Sequence, residues 1–284
     1  PAEQSHQGEQ TDRQADERLH VVATTNIVAD VVANVGGDRI ELKGLLPIGV
    51  DPHSYEPTPQ DLRAVAEADA IFINGAGLEE FLDEMIKNAG GTATVISVSD
   101  GITLLALADE HEGASEESDP HIWFDPNNVI VWVGNIERAL SALDPAHAET
   151  YAANAEAYTG ELKALDAWIR ERVASLPSGR RKLVTDHLVF GYFAQAYGFE
   201  QIGAITEAFS TTAEPSAQEL AALQEVIRQQ SVPVIFVGRT VNPKLAEQIA
   251  RDLGIQVVPI YTGSLSEAGG EADNYIAFMR YNVN

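Results

Sequence analysis

At 284 residues with 45% hydrophobic content, the chain is long enough for one large or two medium domains around a substantial core. Its 18 basic against 43 acidic residues give a formal charge of −25, a field that repels phosphate backbones and anionic lipid surfaces, argues against nucleic acid as a partner and favours cations. With no cysteine, disulfides and thiolate ligation are excluded, so any metal must be held by nitrogen and oxygen.

Residues 1 to 18 carry almost no large apolar side chains and read as a flexible tail that includes His6. The polar start lacks the basic and apolar regions of a signal peptide, and a first residue Pro1 rather than Met leaves room for a leader, with or without a lipid anchor, in a precursor. From Leu19 the pattern changes. The run His20-Val21-Val22-Ala23-Thr24-Thr25 predicts a buried strand, Asn26 to Val35 a helix stopped at Gly36-Gly37, and Ile40 to Leu46 a second strand.

That strand delivers the chain into Asp51-Pro52-His53. Proline fixes its own φ and holds the preceding residue extended, so the tripeptide is a rigid turn that aims an imidazole. It recurs as Asp119-Pro120-His121. Two aimed imidazoles suggest one shared target, against the plainer view that Asp-Pro is a common turn dipeptide and both histidines are solvated.

Thr58 and Pro59 start a helix that runs to about Ala68. Ala70 to Asn74 and Thr94 to Val98 are further strands, with a helix from Glu79 to Asn88 between them. Such alternation predicts a mostly parallel sheet flanked by helices, with ligands gathered at the carboxyl ends of the strands. Residues 108 to 119 read as a mobile acidic loop containing His111. Beyond it, Trp123 and Phe124 are apolar enough to bury while His121 is displayed.

From Pro145 to Leu176 a single glycine interrupts a sequence rich in alanine, glutamate and leucine, predicting a helix of roughly 30 residues, about 45 Å long. Strands then follow at residues 182–185, 233–237 and 255–260, and helices at 190–197, 216–230, 243–253 and 273–281. The reading is a flexible tail (1–18), an N-terminal α/β lobe (19–144), a long linking helix (145–176) and a C-terminal α/β lobe (177–284).

His187 lies immediately beyond a strand of the second half. Asp273 stands at the start of the last helix, where a simple cap is the plainer role. Together His53, His121, His187 and Asp273 supply three imidazoles and one carboxylate, a set that suits a four-coordinate divalent ion of the zinc class. Two ligands from each half would place the ion in the cleft between lobes. Asp51, Asp119, Asp125 and Asp186 are candidates to fix imidazole tautomers, although turn-capping explains each as well. His20 and His147 read as structural or solvated.

Several stretches carry a resemblance: Gly49-Val50-Asp51-Pro52-His53-Ser54-Tyr55-Glu56-Pro57, Asp119-Pro120-His121-Ile122-Trp123, Thr185-Asp186-His187 ahead of Phe190-Gly191-Tyr192-Phe193, Asn242-Pro243-Lys244, and Asp273-Asn274-Tyr275 with Met279-Arg280-Tyr281-Asn282. Through them the sequence resembles, from Leu19 to Asn284, the zinc and manganese solute-binding proteins of bacterial ABC importers, the TroA-like and ZnuA-like group.

The resemblance implies two α/β lobes joined by one long rigid helix, with a metal held between them by His53, His121, His187 and Asp273. It also implies a monomeric, non-enzymatic protein, periplasmic or at the cell surface, that hands Zn²⁺ to a membrane permease. Manganese members tend to carry a carboxylate where this chain has His187. That tilts the reading to zinc, with Mn²⁺ or iron second. Many zinc members have a histidine-rich loop before the second ligand, where this chain has only His111 among acidic residues. Val237-Gly238-Arg239-Thr240 stands where the family often has a carboxylate, and no function is assigned to it. The alternative of another class is a zinc hydrolase with three histidine ligands and Asp273 as base, but no nucleophile elbow, phosphate loop or His-Glu-x-x-His motif supports it.

Overall fold

The computed structural model describes residues 18–79, 81–106 and 118–284. Residues 1–17 of the expected tail and 108–117 of the expected acidic loop, with His111, lie outside them. The first half runs β1 (Leu19–Ala23), α1 (Asn26–Gly36), β2 (Ile40–Gly44), α2 (Pro59–Glu67), β3 (Ala70–Ile73), α3 (Leu82–Ala89), β4 (Thr94–Ser97) and α4 (Pro126–Leu143). Then come α5 (Ala148–Ala174), β5 (Lys182–His187), α6 (Gly191–Tyr197), β6 (Glu200–Thr206), α7 (Ala217–Gln230), β7 (Val234–Gly238), α8 (Lys244–Leu253), β8 (Gln256–Ile260) and α9 (Tyr275–Val283).

Local chemistry accounts for most boundaries. The Thr25 side chain accepts from the Val28 amide to start α1, and Thr58 with Asp61 forms a capping box at α2, as Ser216 with Glu219 does at α7. Gly90, Gly198 and Gly254 take left-handed conformations that end α3, α6 and α8. Two elements have no counterpart among the sequence expectations. Helix α4 holds the β-branched stretch Val129-Ile130-Val131 and Gly134, so propensity argues against it. Its buried face, including Val129, Trp132, Val133, Ile136 and Leu140, decides the matter. Strand β6 is a mixed polar stretch that pairs with β5 across an irregular register at Leu183/Val184.

The strands form two four-stranded parallel sheets, ordered β2-β1-β3-β4 and β6-β5-β7-β8. The second order repeats the first shifted by four strands, so both halves are the same doubly wound α/β unit without an evident sequence repeat. In such a unit the connections leave the carboxyl ends of the strands free for loops that carry function. Here the loops after β2, β6, β7 and β8, and the last residue of β5, all contribute to one site.

Helix α5 follows a short turn at Pro145–His147 and is shorter than the expected 145–176 helix by its first and last turns. It buries Tyr151, Ala155, Tyr158, Leu162, Leu165, Ile169 and Val173 at three- and four-residue intervals, a single stripe along its length. That stripe belongs to one continuous core that also takes residues from β1, α1, α4, α6, β8 and α9. Both lobes therefore share apolar packing rather than meeting at a wet seam. Polar ties reinforce the join: the Trp123 indole donates to the Thr262 carbonyl at 2.9 Å, Tyr275 Oη donates to the Trp123 carbonyl at 2.7 Å, and Asn26 exchanges hydrogen bonds with Ser264 and the Leu265 amide.

Because this core is continuous, urea unfolding followed by circular dichroism should show one cooperative transition. Replacing the fully buried Leu162 by alanine should lower stability by about 2–5 kcal/mol without splitting that transition. Two resolved transitions would show that the lobes fold as separate units.

Candidate metal centre

Three histidines from three segments converge between the lobes. His53 sits in a one-turn helix at Pro52–Ser54, where the Asp51 carboxylate accepts from the His53 amide at 3.1 Å. His121 precedes a second such turn, Ile122–Phe124, whose side chains are buried and anchor it. His187 is the last residue of β5 and is 3% exposed. Their Nε2 atoms lie 3.1 Å apart between His53 and His121, and 3.2 Å apart between His121 and His187.

The opposite ring nitrogens define what those contacts mean. His121 Nδ1 lies 2.8 Å from Asp119 Oδ1, and His187 Nδ1 lies 2.7 Å from Asp186 Oδ2. A carboxylate oxygen can only accept, so each Nδ1 carries a proton, and in a neutral ring the Nε2 then turns its lone pair into the cluster. Lone pairs facing one another repel. The arrangement is favourable when a cation takes the space between them, which is what carboxylate-oriented imidazoles do at metal sites. This is the one group of three such donors found among the described residues with all ligand atoms within 4.8 Å of one another.

The two carboxylates are themselves held. Asp186 Oδ1 accepts from the Gly238 amide, and Asp119 Oδ1 also accepts from the His121 amide at 2.9 Å. Asp119 Oδ2 has no hydrogen-bond partner and packs where a Cβ on Gly191 would stand, 2.6 Å away, so residue 191 must be glycine for this side chain to fit. Burial pushes the Asp119 carboxyl up to about 7, and a more basic carboxylate is a stronger acceptor for the Nδ1 proton. Burial, together with the neighbouring His187 and His53, holds His121 well below its ordinary value and therefore neutral.

Asp273 is not brought to this cluster. Its Oδ2 accepts from the Gly269 amide and its Oδ1 from the Asn274 side chain, both at 2.9 Å, closing the turn that precedes α9. The helix cap expected of it belongs to Asn274, whose side chain accepts from the Ala277 amide. One residue of register separates the turn-closing Asp273 from the capping Asn274.

The remaining wall beside the histidines comes from Asp51, Thr211, Thr240, Thr262 and Gly263. Of the four aspartates proposed as partners, Asp119 and Asp186 touch imidazoles. Asp51 instead holds a backbone amide and the Thr211 hydroxyl across the cleft, and Asp125 caps α4. Neither the Asp51–Thr211 link nor the Trp123–Thr262 bond has a local sequence signal, since each joins residues far apart in the chain. His20 is exposed and His147 pairs with Asp144, both apart from the site. A cleft of about 800 Å³ reaches His53 past Tyr55, Leu78, Phe81 and Phe209. A second, of about 790 Å³, is largely apolar, lies between the end of α5 and α9, and includes none of the histidines.

Fold and site together define a class: a two-lobed α/β protein whose parallel sheets present an imidazole cluster in the cleft between them. Residues 21–284 match the family described as zinc-uptake complex component A, periplasmic, and the chain belongs to that family. It is 35% identical over 280 residues to the manganese ABC transporter substrate-binding lipoprotein PsaA of Streptococcus pneumoniae serotype 4, covering 96% of this chain and 89% of that protein. It is 35% identical over 269 residues to the manganese-binding lipoprotein MntA of Halalkalibacterium halodurans, covering 94% and 87%. Among solved structures, the periplasmic zinc-binding protein TroA of Treponema pallidum superposes with a TM-score of 0.85 at 32% identity, covering 94% of this chain and 97% of that one. These are substrate-binding components of importers that act outside the cytoplasm, not enzymes. No described helix is long and apolar enough to cross a membrane.

His53 is pushed from 6.5 to about 4, first by burial and then by His187. Between those values the unfolded chain binds a proton that the folded metal-free protein does not, so stability rises with pH across the window. The thermal midpoint of metal-free protein should therefore fall as pH drops from about 6.5 towards about 4, and fall less steeply in His53→Gln. Identical slopes in the two proteins would refute that assignment.

Proposed function

We propose that this protein captures Zn²⁺ outside the cytoplasm and delivers it, as a monomer, to the membrane permease of an ABC importer. One observation carries the zinc assignment: the cluster offers three imidazole nitrogens and no carboxylate oxygen. Imidazole-rich sites favour zinc over manganese, which prefers carboxylate, carbonyl and water oxygens. A second reading, Mn²⁺, is favoured by the names of the bacterial relatives above, two of which are described as manganese proteins.

The three ligands are not equivalent. His121 and His187 are buried, and each leans on a carboxylate. His53 is half-buried, borders the larger polar cleft and stands on a short loop turn. Metal exchange therefore proceeds by movement of the His53 loop, with the shared core holding the lobes in place. Release by such a movement needs only the Asp51–Thr211 link and the His53 contact to yield, whereas a hinge would have to break the continuous core.

Competition titration with Zn²⁺ and Mn²⁺ tests the assignment. Zinc should displace manganese at equal concentrations, following the preference of nitrogen donors. Alanine at His53, His121 or His187 should weaken zinc binding by more than the roughly 10–100-fold expected from loss of an outer partner, while Asp273→Ala should bind as the wild type does. Tighter manganese binding would establish the second reading. Unchanged zinc affinity in the His187 variant would eliminate the three-histidine site.

A further inference from the structure

Glu79 is an acidic side chain that the metal site does not use directly. It follows β3 at the end of the loop Asn74–Leu78, yet its carboxylate turns back into the sheet. Glu79 Oε1 accepts from Thr24 Oγ1 at 2.6 Å and from the Asn74 amide at 2.7 Å, and Oε2 accepts from the Gly75 amide at 3.0 Å. Thr24 lies just past β1 and Asn74 just past β3. These are the adjacent strands at which the sheet order reverses, the crevice where a doubly wound sheet ordinarily receives a ligand's anionic group. In this lobe the protein's own carboxylate fills that place.

The loop that Glu79 holds is costly to form. Gly75, Ala76 and Gly77 have φ of 81°, 53° and 84°, so three consecutive residues are left-handed, one of them with a side chain. A Cβ on Gly75 would stand 2.3 Å from Ser97 Oγ, which leaves the backbone no room to relax towards the sheet. Such a conformation persists only where its surroundings over-determine it, and two of the three bonds to Glu79 come from the first two residues of this turn.

The turn reaches the metal ligands. The fully buried Asn74 donates its Nδ2 to the Gly75 carbonyl at 2.9 Å and to the Pro120 carbonyl at 3.0 Å. Pro120 directly precedes His121. On its outer side, Ala76, Gly77 and Leu78 form part of the wall of the cleft that opens at His53.

We infer that Glu79 is a positioning residue for the metal centre, setting the placement of His121 through Asn74 and Pro120 and the shape of the cleft before His53. This rests on the reading of the three histidines as a metal site. A carboxylate suits the place because all three groups facing it are donors. An amide would turn an N–H towards one of them, leaving that donor unpaired.

The test uses Co²⁺, whose visible absorption reports coordination geometry, together with the rate of zinc loss to a chelator. Wild-type protein should bind both ions. Glu79→Gln and Asn74→Ala should each release zinc at least about tenfold faster, the lower end of what loss of an outer partner costs, with a changed Co²⁺ spectrum. Because they act along one chain of hydrogen bonds, the double variant should be no faster than the more affected single variant. Asn74→Ala leaves the carboxylate in place, so it carries the test if Glu79→Gln fails to fold. A control of matched thermal stability, Ile136→Val in the core face of α4, should keep the wild-type spectrum and release rate. Variants that melt earlier but keep the wild-type Co²⁺ spectrum and zinc release would overturn the inference, leaving Glu79 a structural residue only. Failure of the wild type to bind either ion would overturn the metal-site reading itself and this inference with it.

Discussion

The arrangement that everything else in this molecule serves is the approach of three imidazole Nε2 atoms, 3.1 Å apart between His53 and His121 and 3.2 Å apart between His121 and His187. No local preference of the chain favours that geometry, and between neutral His121 and His187 rings the facing lone pairs repel unless a cation lies between them. It exists because two of the three imidazoles are held from behind. Asp119 and Asp186 commit two rings to one tautomer, and backbone amides and a glycine-sized gap at residue 191 commit the carboxylates in turn. The tension is located where a ligand would relieve it.

Holding donors from two lobes at such distances requires that the lobes themselves not drift. The parallel sheets supply carboxyl-end loops aimed at a common cleft, and the long stripe of α5 with the last helix welds the two halves through one core. Trp123 concentrates this logic in one residue. Its ring stacks edge-on against His121, its indole N–H reaches Thr262 beyond β8, and its carbonyl accepts from Tyr275 at the start of α9. A residue two places from His121 is thus also a bolt between lobes. The shared core and these cross-lobe bonds tie the two halves together, which is what favours the loop movement proposed for metal exchange over a hinge.

Much of this was legible beforehand. The β-branched runs, the Thr58-Pro59 and Ser216 starts and the glycine stops locate most strands and helices to within a few residues. These signals are local, set by backbone sterics and capping bonds within a turn. The Asp-Pro-His tripeptides announced His53 and His121 for the same reason, since a proline-fixed turn presents its side chain wherever the turn is placed. Packing overruled local preference in α4, which is helical despite its β-branched residues because its apolar face is covered, whereas Asp273 is taken up by a local turn with Gly269 rather than facing the cleft. Asp51 and Asp125 were chemically able to steady an imidazole but are spent on a backbone amide and a helix cap.

By itself the sequence determined the α/β alternation and the nitrogen-and-oxygen character of any metal site, and it singled out three histidines that the fold brings together, because composition, periodicity and turn chemistry act over a few residues. Only the tertiary structure decided that His53, His121 and His187 would meet at one point while Asp273 lies apart from them. It alone also decided that Glu79 would fill the crevice between β1 and β3. Those outcomes depend on distances of a few ångströms between segments far apart in the chain. Such distances are set by how two sheets and one long helix pack, and no local pattern encodes them.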